Sequence, residues 1–140
     1  WQMKLAVNGT PFPIDDRRGI PKMIFKGTLE HFSEDTLARF RRRMCGSSGQ
    51  TEEFLSRTPT RTAEELREEL AALAQGITAY GSSSFIWDRA IIGNRDKIFP
   101  PRNQHEAWQG TEIMETEAEH YETSLFSRLL EGKGEEWTRH

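Results

Sequence analysis

The stretch TRTAEELREELAALAQGITAYG, residues 60–81, constrains the fold more than any other part of the chain. Thr62 and Glu65 form a T-x-x-E capping box, in which side chains satisfy the free N–H groups of a first helical turn. Leu66, Leu70, Leu73 and Ile77 then recur at intervals of four, three and four. That spacing puts them on one face of a helix, and Gly81 is its expected stop. A helix with one apolar face has to pack on something, so the remaining segments must supply the other layers.

A second helix is expected from Ser33, a good N-cap, to about Met44, with Glu34 and Asp35 in its first turn. Leu37, Phe40 and Met44 make its apolar stripe, and Cys45-Gly46 ends it. A short helical piece over Glu52–Arg57 stops at Thr58-Pro59. Thr111 to Glu131 predicts one long C-terminal helix, with Met114, Ala118, Tyr121, Leu125 and Leu129 as its stripe.

Strands are expected at Lys4–Val7, ended by the turn dipeptide Asn8-Gly9, and at Lys22–Leu29. Phe85–Ile92 is rich in β-formers, Gly93-Asn94 signals a turn, and Lys97–Phe99 reads as a shorter returning strand. Residues 10–21, with three prolines, form a loop. The expected architecture is α+β: a small mixed sheet of short strands packed against three principal helices, including the long C-terminal one. A single domain is expected over residues 1–132, with 133–140 as a flexible tail that Trp137 could tie down.

Charge is uneven along the chain. Residues 1–48 carry +4, residues 49–103 carry −1 and residues 104–140 carry −6, for a net −3. This is not the balance of a dedicated nucleic-acid binder. No apolar run reaches membrane-span length, no signal-peptide pattern is visible, and the lone cysteine fits a reducing compartment. The expected location is cytoplasmic or nuclear, without membrane contact. The start at Trp1 leaves open whether the chain is cut from a longer protein.

The densest charge lies in LARFRRRMC, residues 37–45. Helix geometry groups Arg39, Arg42 and Arg43 opposite the apolar stripe. Arg17, Arg18, Lys22 and Lys26 would join them in a nucleic-acid or anion site only if the preceding loop and strand fold alongside. The plainer alternative is that cations at a helix C-terminus complement its dipole. Cys45 feels opposing influences, since nearby cations lower a thiol pKa and a helix C-terminus raises it.

On the expected C-terminal helix, Glu112, Glu115, Glu119 and Glu122 form an acidic ladder suited to a basic partner or to the basic half of a second copy. Trp87 and Trp108 are candidate partner-binding aromatics, with burial in a core as their commoner role. Glu117-Ala-Glu-His120 has the Glu-x-x-His spacing of carboxylate-bridged metal bundles, but no second copy exists and both side chains are expected to face water. Asp96, Asn103 and His105 share a polar connector without zinc or nuclease spacing. No phosphate-cradling glycine loop and no nucleophile elbow is present, and no motif of a known family covers more than a few residues.

No catalytic residue, metal ligand or cofactor is therefore assigned. The expected function is a non-enzymatic macromolecular binding or adaptor domain with a protein partner or itself as a homodimer. An RNA- or DNA-binding domain is the alternative. A small hydrolase or nuclease using His105 or His31 stands third.

Overall fold

A computed structural model describes residues 3–57, 61–80 and 86–130. Three strands, β1 (Leu5–Val7), β2 (Arg89–Gly93) and β3 (Glu112–Thr116), form one sheet in that order, and both pairings are parallel. Among the described residues six helices accompany it: α1 (Lys22–Glu30), α2 (Glu34–Cys45), α3 (Ser48–Arg57), α4 (Ala63–Tyr80), α5 (Pro101–Ala107) and α6 (Thr123–Leu130). The class is α+β, as expected.

β2 is central and every residue in it is buried. A parallel strand covered on both faces needs apolar side chains pointing both ways. Ala90 and Ile92 point to one face, where they meet Ala6, Trp87, Trp108 and Ile113. Ile91 points to the other and packs with Leu5, Val7, Met114, Ala118 and Leu125.

Several local expectations need correction. The sheet is parallel rather than mixed, and Lys97–Phe99 does not return as a strand. Its backbone wraps around the Asp96 carboxylate instead, with Ile98 N and Phe99 N both donating to Asp96 Oδ1. The long C-terminal helix is also absent. Gly110 has φ +88, so the chain turns sharply and enters β3. Ile113 and Met114 then face opposite sides of the sheet, which is strand periodicity rather than helical. Only Thr123–Leu130 is helical.

Lys22–Glu30 is a helix, not a strand. Pro21 precedes it with φ already near the helical value, and the Asp16 carboxylate accepts from Lys22 N at 2.8 Å. Ile24, Phe25 and Thr28 (i, i+1, i+4) then share one face. That face meets Leu66, Leu70 and Leu73 of α4 and Leu37 and Phe40 of α2 around an apolar cavity of about 240 Å³, with Ile98 also in its wall. Leu66 and Leu70 of the α4 stripe thus face α1 and α2, while Leu73 and Ile24 stay half exposed at the cavity's edge.

The α2 cap is as expected, with Thr36 completing a reciprocal box around Ser33. The helix stops at Gly46 in the left-handed conformation. Gly81, the 82–84 serines, Phe85 and the expected tail at 133–140 with Trp137 lie outside the described residues.

Candidate active site

In an open parallel sheet, ligands gather beyond the carboxyl ends of the strands, where successive loops emerge side by side. Here β2 runs into Gly93-Asn94-Arg95-Asp96, and β3 runs into the 117–122 segment that carries His120. These two loops meet. His120 Nδ1 lies 2.9 Å from Asp96 Oδ2.

Asp96 has a fully buried side chain held from four directions. Oδ1 accepts the backbone N–H groups of Ile98 and Phe99 at 2.8 and 2.9 Å. Oδ2 accepts from His120 and, at 3.3 Å, from Gln104 Nε2. Gln104 is fully buried on α5 and also donates to Phe99 O. Pro100 and Pro101 start α5, so the helix projects Gln104 at a fixed place behind the carboxylate.

The His120 ring stacks on Phe99, with centroids 5.9 Å apart and planes inclined by 13°. A carboxylate only accepts hydrogen bonds, so Nδ1 carries the ring proton and Nε2 is left as the basic nitrogen. The side chain is 23% exposed, and among the described residues nothing hydrogen-bonds Nε2. The arrangement is an imidazole fixed in orientation and tautomer by a buried carboxylate, with its free nitrogen available for proton transfer. That geometry matches the base-and-orienter half of a Ser-His-Asp triad. Asp precedes His in the chain, the order found in α/β-hydrolases, where the nucleophile precedes both.

A family model described as pimeloyl-ACP methyl esterase BioG matches residues 2–131. The chain belongs to the BioG family. A crystal structure of BioG from Haemophilus influenzae superposes with a TM-score of 0.81 at 42% identity, covering 88% of this chain and 58% of that one. An H. influenzae protein is 44% identical over 124 residues, which is 87% of this chain and 57% of its own length. A Bacteroides fragilis protein named malonyl-[acyl-carrier protein] O-methyltransferase is 48% identical over 131 residues, 92% of this chain and 27% of that one. The chain thus spans less than two thirds of each of these relatives.

BioG membership overturns the expected non-enzymatic binding or adaptor domain, and equally the RNA- or DNA-binding alternative: the matching family is one of enzymes. The relatives are bacterial, which removes the nuclear location. No helix among the described residues is long and apolar enough to cross a membrane. Among those residues no group of three His, Cys, Asp or Glu side chains is placed to hold a metal ion.

The basic residues do different jobs. Arg17 pairs with Glu106, Lys26 with Glu30, and Arg18 with Asp15 while lying 3.7 Å over the Phe12 ring. Arg18 also holds the Asp15 carboxyl below the usual aspartate range. Lys22 is exposed at the start of α1. Arg43 donates to Lys97 O at 3.1 Å, whereas Arg39 and Arg42 are exposed and form no ion pair among the described residues.

The acidic ladder dissolves, because its members occupy a strand and a loop. Glu112 pairs with the buried Arg89, Glu115 lies by His105, and Glu119 and Glu122 flank Arg95. Trp108 is core: it is buried, donates to Gly9 O, and meets Trp87 edge to face at 6.3 Å. His105 and Asn103 stand apart from Asp96's histidine partner. His105 is exposed, and Asn103 is buried with its amide donating to Asp16 O and Gly19 O. His31 is exposed at the end of α1. His120, expected to face water beside Glu117, is the residue that completes the dyad. Cys45 is buried, and burial pushes its thiol pKa up, outweighing the contact with Thr51.

Proposed function

We propose that this chain carries the general base and orienting carboxylate of a serine-type esterase, acting on the methyl ester of a dicarboxylic acyl chain borne by a carrier protein. The 2.9 Å contact between His120 and Asp96 is the observation that carries it. The substrate class comes from the description of the family model. The nucleophile is supplied by sequence that the longer relatives have and this chain does not span.

His120 Nε2 takes the hydroxyl proton as the serine oxygen attacks the ester carbonyl carbon. The tetrahedral species then collapses, the C–O bond to the methoxy group breaks, and the imidazolium protonates the departing oxygen to give methanol. Water attacks the acyl-enzyme, giving its proton to the same nitrogen. Collapse frees the carboxylic acid and returns the proton to serine. Asp96 keeps Nδ1 protonated and stabilises the imidazolium at each stage.

The apolar cavity between α1, α2 and α4 suits the methylene chain. Ile98 links the two, lining the cavity with its side chain and bonding Asp96 through its backbone. The carrier has a candidate dock on α2, whose last turn touches both dyad loops: Arg43 donates to Lys97 O, and Met44 O accepts from Tyr121 N. Arg42, exposed in that same last turn, and Arg39, exposed about one turn earlier, are placed to meet an acidic carrier surface.

Hydrolysis of a pimeloyl methyl ester on its carrier by the protein at full native length is the test. His120→Ala should lower kcat by about 10³-fold or more with KM little changed. Undiminished turnover in that variant would rule out His120 as the base.

A further inference from the structure

We propose that Asn8 is a positioning residue for His120, clamping the histidine loop to the ends of the other two strands. This rests on His120 being the base. Asn8 follows β1 directly and is 4% exposed. Its φ of +52 lies in the left-handed region, where asparagine is among the few side chains tolerated. Its backbone N–H still donates to Ile91 O of β2 at 3.0 Å, so the residue stays stitched to the sheet while its side chain turns across the strand ends.

Every polar group of that side chain is then used. Nδ2 donates to Glu119 O at 3.2 Å and to His120 O at 3.0 Å. Oδ1 accepts from Gly93 N at 2.8 Å. Gly93 N–H can only donate, which fixes the amide orientation and forces both donors toward the His120 loop. The two accepting carbonyls flank the His120 peptide, so the bonds set where the backbone carrying the ring sits.

The approach is close from the other side too. A Cβ on Gly93 would lie 2.6 Å from Ala118 O and 3.0 Å from Asn8 Oδ1. Glycine is what lets the strand end, the asparagine and the histidine loop share this space. The 117–122 segment is neither helix nor strand, so it has no hydrogen-bond ladder of its own. Its position depends on bonds such as these, together with Tyr121 N to Met44 O and Arg95 N to Ala118 O.

The test compares Asn8→Gly, which tolerates the positive φ, with Asn8→Asp. The aspartate keeps the shape and the acceptor for Gly93, but as a carboxylate it cannot donate to the loop. Two readouts are taken on the full-length protein: kcat and KM for methyl ester hydrolysis, and the proton NMR signal of His120 Nδ1–H, assigned by its loss in His120→Ala. Both Asn8 variants should lower kcat by about tenfold or more, with KM within about twofold, and should broaden the Nδ1–H signal through faster solvent exchange.

Wild-type kcat and a sharp Nδ1–H signal in Asn8→Gly would overturn the proposal. So would unfolding of both variants by near-ultraviolet circular dichroism, since Asn8 would then be a structural residue only. Full activity in His120→Ala would instead remove the base assignment itself, and the Nδ1–H signal would still report whether Asn8 positions the ring.

Discussion

Helix α2 and the Asp96–His120 loops touch each other, yet they are built on opposite principles. α2 is assembled from neighbours in sequence: Ser33 and Thr36 cap it, Leu37, Phe40 and Met44 line one side, and Gly46 stops it. The dyad is assembled from strangers. Asp96 and His120 are 24 residues apart on loops after different strands, and their supports come from Gln104, Phe99 and Asn8. The arginine-rich helix dominates the sequence's charge, while the Asp96–His120 pair sits where two inconspicuous loops converge. Local order gives the site its wall; tertiary order gives it its proton-transfer geometry.

The largest effect expected from breaking this comparison is on the dyad side. Asp96→Asn puts an amide against the Ile98 and Phe99 N–H donors and can present a donor to His120 Nδ1, favouring the wrong imidazole tautomer. Turnover should fall by about 10³- to 10⁴-fold while KM for the carrier-bound ester stays within a few-fold. A Michaelis analysis that finds KM rising and kcat preserved would contradict the orienting role.

Next comes α2 itself. Leu37 is buried on the apolar stripe, so Leu37→Ala should cost about 2–4 kcal/mol of stability in urea unfolding. Its kcat at a temperature where the variant is still folded should change little, and because Leu37 also lines the cavity proposed for the methylene chain, its loss should fall on KM. A large kcat loss in the folded variant would mean that the wall and the dyad are more tightly coupled than their construction implies.

The same contrast explains how much was legible in the sequence. α2 and α4 were readable because capping boxes and apolar stripes are encoded within a few residues of one another. β3 was not. Met114, Ala118, Tyr121 and Leu125 satisfy a helical spacing on paper, and only pairing with the buried β2 makes Glu112–Thr116 a strand. Lys22–Leu29 reads as a strand because Ile24 and Phe25 favour strands locally, whereas α4 and α2 offer them a helical partner face. In the sequence Asp96 stands in a polar connector with Asn103 and His105, which lie near it along the chain. Its actual partner required knowing that β2 and β3 are parallel, so that their following loops emerge at the same end.

A smaller effect tests whether α2 meets the carrier. Arg39→Ser with Arg42→Ser should raise KM for the carrier-bound ester by several-fold to about tenfold at low salt, with kcat unchanged. The difference should shrink as ionic strength rises and the Debye length falls to a few ångströms. Hydrolysis of a small methyl ester without a carrier should be unaffected. Equal losses on both substrates would place the arginines in the chemistry or the fold rather than in docking.

The smallest effect lies where the two regions join. Cys45 ends α2 one residue before Gly46, where an added Cβ would run into the Glu119 side chain. Burial raises the Cys45 thiol pKa in the folded protein. The unfolded thiol ionises at its ordinary value, about 8.5, while the folded one stays neutral. Above that pH the unfolded ensemble gains an ionisation that the folded state lacks, so stability falls as pH rises from about 8.5 toward the folded pKa. The loss should reach no more than about 1 kcal/mol near pH 9. It should be missing from Cys45→Ala, whose urea midpoint starts lower but responds to this pH range only through the other groups. An equal pH slope in the two proteins would show that the joint admits water and that α2 does not seal against the histidine loop.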